Sequence, residues 1–332
     1  MKKQQIIIGI DVSKRMLDIF IHNINFHFIV ENSTKGFAQL LEIIFKQTNC
    51  KSDDLLFCFE NTGKYPRMLG VFLDSQSIRF VMEPALKIKK SLGMTRGKTD
   101  KVDARRIALY AYEKREVLTP TVLPGEEIDR IKALLSLRER LVKHRTACKN
   151  GVTDLHDCYC EGENDLIKEI QQRLIDNYNK EIKLLENQIL EIIKSNKHLF
   201  RNFRLVLSVK GIGKISTFYL IAFTANFTAF SNARAFACYT GIAPFESSSG
   251  TLKGTPRINH LANHQIKSLL NMAAVAAIRI KGEYKEYYLK RVNELGKNKM
   301  STLNIIRNKL IYRVFAVVNR GTPYVDLYKF CA

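Results

Sequence analysis

The chain has 332 residues, and its 53 lysines and arginines exceed its 32 aspartates and glutamates to give a formal net charge of +21. This length allows two or three domains, and the positive charge favours a polyanionic partner, with nucleic acid as the leading candidate. A membrane surface is the alternative, but we find no apolar run of about 18 residues and no leader pattern. The seven scattered cysteines argue against a disulfide framework. We therefore expect a cytoplasmic protein.

Residues 1–116 alternate between short apolar strands and amphipathic segments, and we predict one α/β unit there. The order of its elements is β-β-β-α-β-α-β-α. This order is found in ribonuclease-H-like (resolvase-like) folds, in which the first and fourth strands end side by side. The predicted strands are 6–10, 16–21, 26–30, 55–59 and 78–82, and the predicted helices include 37–45, 66–73 and the segment after Thr99.

Four acidic residues fall where this topology brings polar groups together. Asp11 ends the first strand, Glu60 ends the fourth, and Asp100 and Asp103 lie three apart in the first turn of a helix. Clustered carboxylates repel one another unless hard cations neutralise them, and Mg²⁺ takes oxygen ligands and leaves positions open for phosphate. We therefore predict a site for Mg²⁺, with two ions, that acts on phosphodiesters. Any one of these acids alone is explained as well by a turn or a helix start.

Cations surround the last two of these acids. Lys98, Lys101, Arg105 and Arg106 belong to a basic run between residues 87 and 116. Cations beside a metal site hold phosphates against the metal ions, so we predict that these four residues bind nucleic acid. A solvated helix face is the alternative.

Residues 117–200 are predicted to be a helical hairpin or coiled coil. The sequence from 126 to 196 is largely free of glycine and proline, with a break at 158–165. Its second half has a heptad seam, which can pack on a helix of the same chain or join two protomers. The seam consists of Ile175, Tyr178, Ile182, Leu185, Ile189 and Ile192.

Residues 201–332 are predicted to form a mainly helical third domain that opens with a helix-hairpin-helix turn. Gly211 and Gly213 allow backbone N–H groups to approach a phosphate, and Lys210 and Lys214 stand beside them. We predict that this turn binds a nucleic-acid backbone. An ordinary connection between two helices is the alternative.

Four motifs together closely resemble the insertion-sequence one-ten family of transposases, DEDD recombinases related to the pilin-gene inverting recombinase. The motifs are I-G-I-D-V-S-K, F-E-N-T-G, K-T-D-K-V-D-A-R-R and the block A-C-Y-T-G-I-A-P-F-E-S-S-S-G-T-L-K-G. The resemblance spans roughly residues 5–290. It implies a ribonuclease-H-like catalytic domain at 1–116, a coiled-coil linker at 117–200 and a second transposase domain at 201–332.

The resemblance also implies roles for residues of the second transposase domain. The family's nucleophilic serine stands immediately before a glycine, and this position falls on Ser249, five residues after Pro244. The four acids of the first domain become its catalytic and metal-binding set. We expect Lys253 and Arg257, in the same basic loop, to contact nucleic acid. The family's partners are donor and target DNA and a noncoding guide RNA, and we expect a homo-oligomer, a dimer that assembles into a tetramer.

The resemblance is incomplete after the serine. The family often has an I-x-K-x-G-N pattern, whereas residues 258–263 here read I-N-H-L-A-N, so His260 replaces the cation and Ala262 the glycine. This difference concerns a phosphate or RNA contact and leaves the nucleophile in place. His260 and His264 have the helical spacing of metal ligands, but no third ligand accompanies them, which favours a polar helix face.

Three functions compete on these observations. The first is a DNA transposase that forms a transient Ser249–DNA adduct. The second is a metal-only nuclease or junction resolvase, in which Ser249 is structural. The third is a non-catalytic, domesticated nucleic-acid-binding protein, and the intact acids count against it.

Overall fold

The computed structural model describes residues 5–61, 63, 65–91, 99–158, 165–245, 248–249, 252–253, 257–258 and 262–326. The chain divides into two compact units, residues 1–123 and 124–332. The predicted hairpin and the predicted C-terminal domain share the second unit, and their division into separate domains stays a prediction. Within the described ranges, no helix is both long and apolar enough to cross a bilayer.

A five-stranded mixed sheet forms the centre of the first unit. The predicted order of strands and helices is confirmed, except that an additional helix, which the sequence did not predict, lies between the fifth strand and the helix after Thr99. Its strands are β1 (Ile6–Val12), β2 (Met16–Ile21), β3 (Phe26–Glu31), β4 (Leu55–Glu60) and β5 (Phe80–Glu83). Their order across the sheet is β3-β2-β1-β4-β5. The first three strands are antiparallel neighbours, whereas β4 runs parallel to both β1 and β5.

Helices cover both faces of this sheet. They are α1 (Thr34–Thr48), α2 (Pro66–Ser75), α3 (Ala85–Ser91) and α4 (Asp100–Lys114). Successive side chains of a strand point to opposite faces, so Ile7 and Ile8 of β1 belong to two different cores. The core around Ile8 includes residues of α1 and α2, and the core around Ile7 includes residues of α3 and α4. The strands are apolar on both faces because both faces are covered.

Helix α4 lies directly on β1 because residue 9 has no side chain. A Cβ atom at Gly9 would lie 2.2 Å from the backbone nitrogen of Ala108 and 2.5 Å from the carbonyl oxygen of Ala104. Both alanines are fully buried. These three small residues bring the first turn of α4 close to the strand that ends near Asp11.

Two long helices, α5 (Glu126–Cys158) and α6 (Asp165–Ser195), open the second unit as the predicted helical hairpin. The helices are antiparallel, as two cross-links show. Arg138 Nη2 lies 2.7 Å from Glu186 Oε1, and Arg145 Nη1 donates a hydrogen bond of 2.9 Å to Asn179 Oδ1.

The predicted heptad seam of α6 is buried within this chain. Ile175 and Ile182 are each 5 % exposed, and Ile189 is fully buried. The seam therefore packs inside the second unit, which is the first of the two alternatives for it. A coiled coil between protomers stays a prediction.

The remaining helices pack around one apolar core, to which the bases of α5 and α6 also contribute. They are α7 (Lys197–Leu207), α8 (Lys214–Phe223), α9 (Ala233–Tyr239), α10 (His264–Arg279), α11 (Glu283–Leu289) and α12 (Lys299–Arg320). Between α9 and α10 lie four two-residue strands that the sequence did not predict. They are β6 (Pro244–Phe245), β7 (Ser248–Ser249), β8 (Leu252–Lys253) and β9 (Arg257–Ile258).

Candidate active site

The strand register places two of the predicted acids side by side. Ile10 of β1 pairs with Phe59 of β4 in parallel register, so the next residues, Asp11 and Glu60, are neighbours at the same edge of the sheet. Parallel strands bring their carboxyl ends to one edge, where functional groups gather. The sequence prediction for these two positions matches this geometry.

The other two acids come from the first turn of α4. Thr99 caps this helix, because its Oγ1 accepts a hydrogen bond of 3.3 Å from the backbone nitrogen of Val102. Asp100 and Asp103 are the acidic residues of the first turn. Asp103 also forms an ion pair with Arg106, with Oδ1 and Nη1 2.9 Å apart.

The electrostatics of Asp11 relate it to each of the other three acids. The pKa of Asp11 is raised from 3.8 to about 6, first by burial and then by the charges of Asp100, Asp103 and Glu60, in that order of importance. A neighbouring like charge acts this way because it disfavours the ionised form. The structure therefore brings the predicted set together around Asp11.

These acids suit a divalent cation by their chemistry. Their donors are hard oxygen atoms, and a cation would remove the repulsion that Asp11 experiences. Within the described part of the chain, however, no three His, Cys, Asp or Glu residues already stand where they could hold one ion. Binding an ion at Asp11, Glu60, Asp100 and Asp103 would therefore require their side chains to move closer.

A fifth carboxylate that the sequence analysis missed lies beside Asp11. Asp18 of β2 is the register partner of Asp11, is only 8 % exposed, and adds to the rise in the pKa of Asp11. His27 of β3 contacts this aspartate, with Nε2 3.0 Å from Asp18 Oδ1. A signal was present in the sequence, because Asp18 is the one polar residue in the strand M-L-D-I-F-I.

The predicted cations of α4 have different surroundings. Lys101 and Arg105, one helical turn apart, line the same open cleft, and the Arg105 guanidinium lies 5.8 Å from the centre of the Phe20 ring. Arg106 is engaged by Asp103. Lys98 lies outside the described residues.

The glycine turn between α7 and α8 has a packing role that the sequence did not reveal. Gly211 has a φ of 88°, and a Cβ there would lie 2.6 Å from the Cβ of Ala277 and 2.8 Å from the carbonyl oxygen of Ala273, both in α10. Because Gly211 has no side chain, α10 can pack closely against this turn. The glycine requirement at this position follows from the fold, whether or not phosphate binds.

Of the residues beside this turn, one lysine is held in an ion pair, whereas the other groups are accessible to a ligand. Lys210 forms an ion pair with Asp326. Lys214 lies half-buried with its Nζ 5.6 Å from the centre of the Phe218 ring, and Gly213, at the N-cap of α8, has open space where a side chain would be. The predicted phosphate contact at this turn stays a prediction, with Gly213 and Lys214 as its most accessible groups.

Ser249 lies at the last paired position of a short β-arm formed by the strands between α9 and α10. Pro244 pairs with Ile258 in one short ladder, and Ser249 pairs with Leu252 in a second one. Only two residues of the sequence separate Ser249 from Leu252. Lys253 pairs with Ser248 in the same ladder. The side chains of Ser249, Lys253 and Arg257, and all of His260, lie outside the described residues.

Both ends of the β-arm are tied to the helical core. Asn304 of α12 donates a hydrogen bond of 2.9 Å to the carbonyl oxygen of Ile242, just before the arm. After the arm and Ala262, Asn263 binds Tyr239 twice, through Nδ2 to the hydroxyl at 2.9 Å and through its backbone nitrogen to the carbonyl oxygen at 3.1 Å. His264 begins α10. The two ends of the arm therefore return to the C-terminal end of α9.

Comparisons with known proteins agree with this arrangement. A family profile for IS110-type DEDD transposases, described as "Transposase", matches residues 8–160, and a second, described as "Transposase IS116/IS110/IS902 family", matches residues 203–289. The first match contains the four acids and the second contains Ser249. The two profiles thus fall on the two regions that carry the candidate catalytic groups.

Curated relatives extend the similarity over nearly the whole chain. The chain is 27 % identical to the pilin gene-inverting protein of Moraxella bovis over 96 % of its length and 97 % of that protein. It is 24 % identical to the transposase for insertion sequence element IS1111A of Coxiella burnetii, over 68 % of each chain. The chain therefore belongs to the IS116/IS110/IS902 family of transposases and is a DNA-recombining enzyme of an insertion element.

Proposed function

We propose that this transposase exchanges DNA strands through a transient bond between Ser249 and DNA, assisted by Mg²⁺ at the four acids of a ribonuclease-H-like domain. The observation that carries the proposal is the convergence on Asp11 of three further carboxylates, which raise its pKa. The sheet order β3-β2-β1-β4-β5, with β1 and β4 parallel, supports the assignment of the fold.

The acids have one task in this mechanism. Asp11, Glu60, Asp100 and Asp103 would hold two Mg²⁺ ions, which when bound supply charge neutralisation at phosphate and help to activate a nucleophile. Arg106 holds Asp103 in place from the side. Burial of the strand ends keeps Asp11 and Glu60 at fixed positions, because both follow fully buried residues of β1 and β4.

Ser249 supplies the covalent step. Its Oγ forms a bond to phosphorus, the bond between phosphorus and one DNA oxygen breaks, the serine gives up its proton, and the released DNA end takes one up as a hydroxyl. Attack by a hydroxyl of another DNA end then reverses these bonds and restores the serine. The phosphoserine linkage conserves the energy of the phosphodiester, so joining needs no external energy source.

We propose further that a noncoding guide RNA pairs with donor and target DNA, as the family resemblance implies. A net charge of +21 favours binding of both nucleic acids. Exchange between two DNA molecules needs more than one active site, so a homo-oligomer, a dimer assembling into a tetramer, is part of the proposal. The proposed nucleic-acid contacts are Lys98, Lys101, Arg105, Arg106, Lys210, Gly211, Gly213, Lys214, Lys253 and Arg257.

The test is a denaturing-gel search for a protein–DNA adduct with labelled DNA, the element's flanking RNA and Mg²⁺. The wild type is compared with Ser249→Ala, and Ser248→Ala is the matched control because it removes the adjacent serine of the same strand. We expect the adduct in the wild type and in Ser248→Ala, and its loss in Ser249→Ala. Equal cleavage by all three proteins without an adduct would contradict the serine mechanism and favour a metal-only nuclease.

The guide RNA is tested in the same assay by its omission. We expect adduct formation at the matched DNA to require the RNA, and a change in the RNA's pairing segment to move the reaction to the correspondingly changed DNA. Equal reaction with and without RNA would contradict RNA guidance and leave the serine mechanism intact.

A further inference from the structure

We propose that the cleft between β2, β3 and the first turn of α4 binds a single nucleotide of the nucleic-acid strand that passes the acids. This inference rests on the proposed function, because it assigns a subsite next to the same acids. The cleft has a volume of about 290 Å³. It is lined by Phe20, Asn25, His27, Lys101, Val102 and Arg105.

One wall of this cleft carries cations that the protein itself does not neutralise. Lys101 and Arg105 stand four residues apart on α4 and both line the cleft. In the described part of the chain, neither has an aspartate or glutamate within ion-pair distance, whereas their neighbour Arg106 is paired with Asp103. Two unneutralised cations at one cavity favour an anionic ligand, and a backbone phosphate has the required charge.

The opposite wall carries two polar groups, His27 in β3 and Asn25 in the turn before it. An ionised carboxylate only accepts hydrogen bonds, so the contact of 3.0 Å with Asp18 assigns a proton to Nε2 of His27. The Nδ1 atom is then left for another partner. Asn25, with a left-handed φ of 51°, adds an exposed amide that both donates and accepts. Such groups fit the sugar or the base edge of a nucleotide.

The position of the cleft relates it to the acids. Lys101 follows Asp100 in the chain, and Asp18, which orients His27, is the register partner of Asp11. A nucleotide bound between the two walls therefore has its strand neighbour at the acids. The volume is near the lower limit of about 300 Å³ for small-ligand pockets, which suits one nucleotide and excludes a duplex.

Arg105 is held in place for this role. Its guanidinium lies 5.8 Å from the ring centre of Phe20, a side chain that is 4 % exposed. The ring restricts the guanidinium without neutralising its charge. Arg105 can then meet a phosphate with less loss of side-chain entropy than a freely rotating arginine.

The first part of the test measures binding of the full chain to fluorescent single strands, oligo-dT and oligo-U, by anisotropy in EDTA at several salt concentrations. We expect Lys101→Gln with Arg105→Gln to lower affinity about 10-fold or more and to reduce the salt slope by roughly 0.7 per lost phosphate contact. The matched control is Lys46→Gln, because Lys46 is an exposed lysine of α1, on the opposite face of the sheet. The control should change affinity by less than about twofold.

The second part tests the polar wall with Asn25→Ala and His27→Gln. Loss of an uncharged hydrogen bond should lower affinity about three- to tenfold and leave the salt slope unchanged. Asn25→Ala is decisive if His27→Gln impairs folding, because Asn25 is exposed and lies outside the core. The strand, dT or U, that loses more affinity in these variants identifies the occupant as DNA or RNA.

Affinities equal to that of Lys46→Gln in the double variant and in both single variants would overturn the inference. Because the assay contains no Mg²⁺ and forms no covalent bond, Ser249→Ala should bind like the wild type. Loss of binding in the cleft variants without any adduct in the gel assay would therefore refute the serine mechanism while supporting the cleft. Normal binding in these variants together with a normal adduct would refute the cleft and support the serine mechanism.

Discussion

The acid site and the serine arm of this transposase are built in contrasting ways. The acids stand on the ends of buried strands and on a helix that touches β1 through backbone atoms, so packing determines their positions. Ser249 stands on one of two short ladders of two-residue strands, in a segment that is tied to the core at Ile242. The difference suits the roles that we propose, because metal ligands need fixed positions whereas a nucleophile has to reach the DNA.

The largest expected effect comes from removing one acid. Glu60→Gln should lower DNA cleavage about a thousandfold or more, because it removes a charged ligand that acts in the transition state. Nucleic-acid affinity should change little, and the measurement is single-turnover cleavage beside a binding assay. Glu42→Gln, an exposed glutamate of α1, is the control. Retained cleavage in Glu60→Gln would contradict the assignment of Glu60 as a metal ligand.

Gly9→Ala tests whether packing holds the acid site together. The new Cβ would lie 2.2 Å from backbone, so we expect a loss of about 3 kcal/mol in the free energy of unfolding and impaired cleavage. Gly70→Ala is the control, because a Cβ there meets its nearest atom at 3.4 Å, an ordinary contact. The control should be neutral or stabilising by up to about 1 kcal/mol. Denaturant unfolding distinguishes the two, and equal stability of both variants would contradict the packing argument.

Asn304→Ala tests the base of the serine arm. Loss of its hydrogen bond to the Ile242 carbonyl should cost about 1 kcal/mol in unfolding free energy. Formation of the DNA adduct should fall more than this stability loss explains, because the arm begins two residues later. Asn308→Ala, one turn along α12, is the control, since its Oδ1 has no hydrogen-bond partner among the residues that the structure describes. Equal adduct yields in the two variants would show that the hydrogen bond between Asn304 and Ile242 is not needed for adduct formation.

The smallest expected effect is a pH-dependent gain in the free energy of unfolding when Asp11 is replaced by asparagine. The pKa of Asp11 is raised to about 6, so the stability contributed by its protonated form is present below about pH 3.8 and is lost as pH rises through 6. The Asp11→Asn variant does not lose this stability, because asparagine does not ionise. In EDTA at pH 8 the variant should be more stable by about 1 kcal/mol, less than the full shift implies because Asp11 is half-exposed to solvent.

The same variant also tests metal binding. Urea unfolding between pH 4.5 and 8 should show the advantage of Asp11→Asn growing with pH. Added Mg²⁺ should stabilise the wild type more than the variant, because an ion bound only to the folded state shifts the equilibrium towards it. An advantage that is independent of pH would contradict the electrostatic origin of the shift.

The sequence predicted the neighbouring positions of Asp11 and Glu60 because the strand order follows from local patterns. Continuous apolar strands and a capped helix are short-range signals, and together they placed Asp11 next to Glu60. Partners that are distant in sequence gave no such signal. Lys210 meets Asp326 and Gly211 meets Ala277 only because the C-terminal helices fold back, and a two-residue strand is too short to show alternation.

The His27–Asp18 contact was missed for a related reason. Its two residues lie on adjacent strands in a diagonal position that depends on the register, with Phe20 opposite His27. A shift of one residue would have placed Asp18 on the other face. The lone aspartate in an apolar strand was visible, but its partner could be identified only from the pairing.

The β-arm leaves the helical core and returns to it at nearly the same place, so its length can change without altering the core. Because the chain leaves from Ile242 and returns to Tyr239, residues can be added in pairs to both strands without altering the helical core. Each added pair per strand would carry the serine about 7 Å farther out, whereas a single added residue would turn it to the opposite side. The length of the arm can thus change while its anchoring contacts at Ile242 and Tyr239 stay as they are.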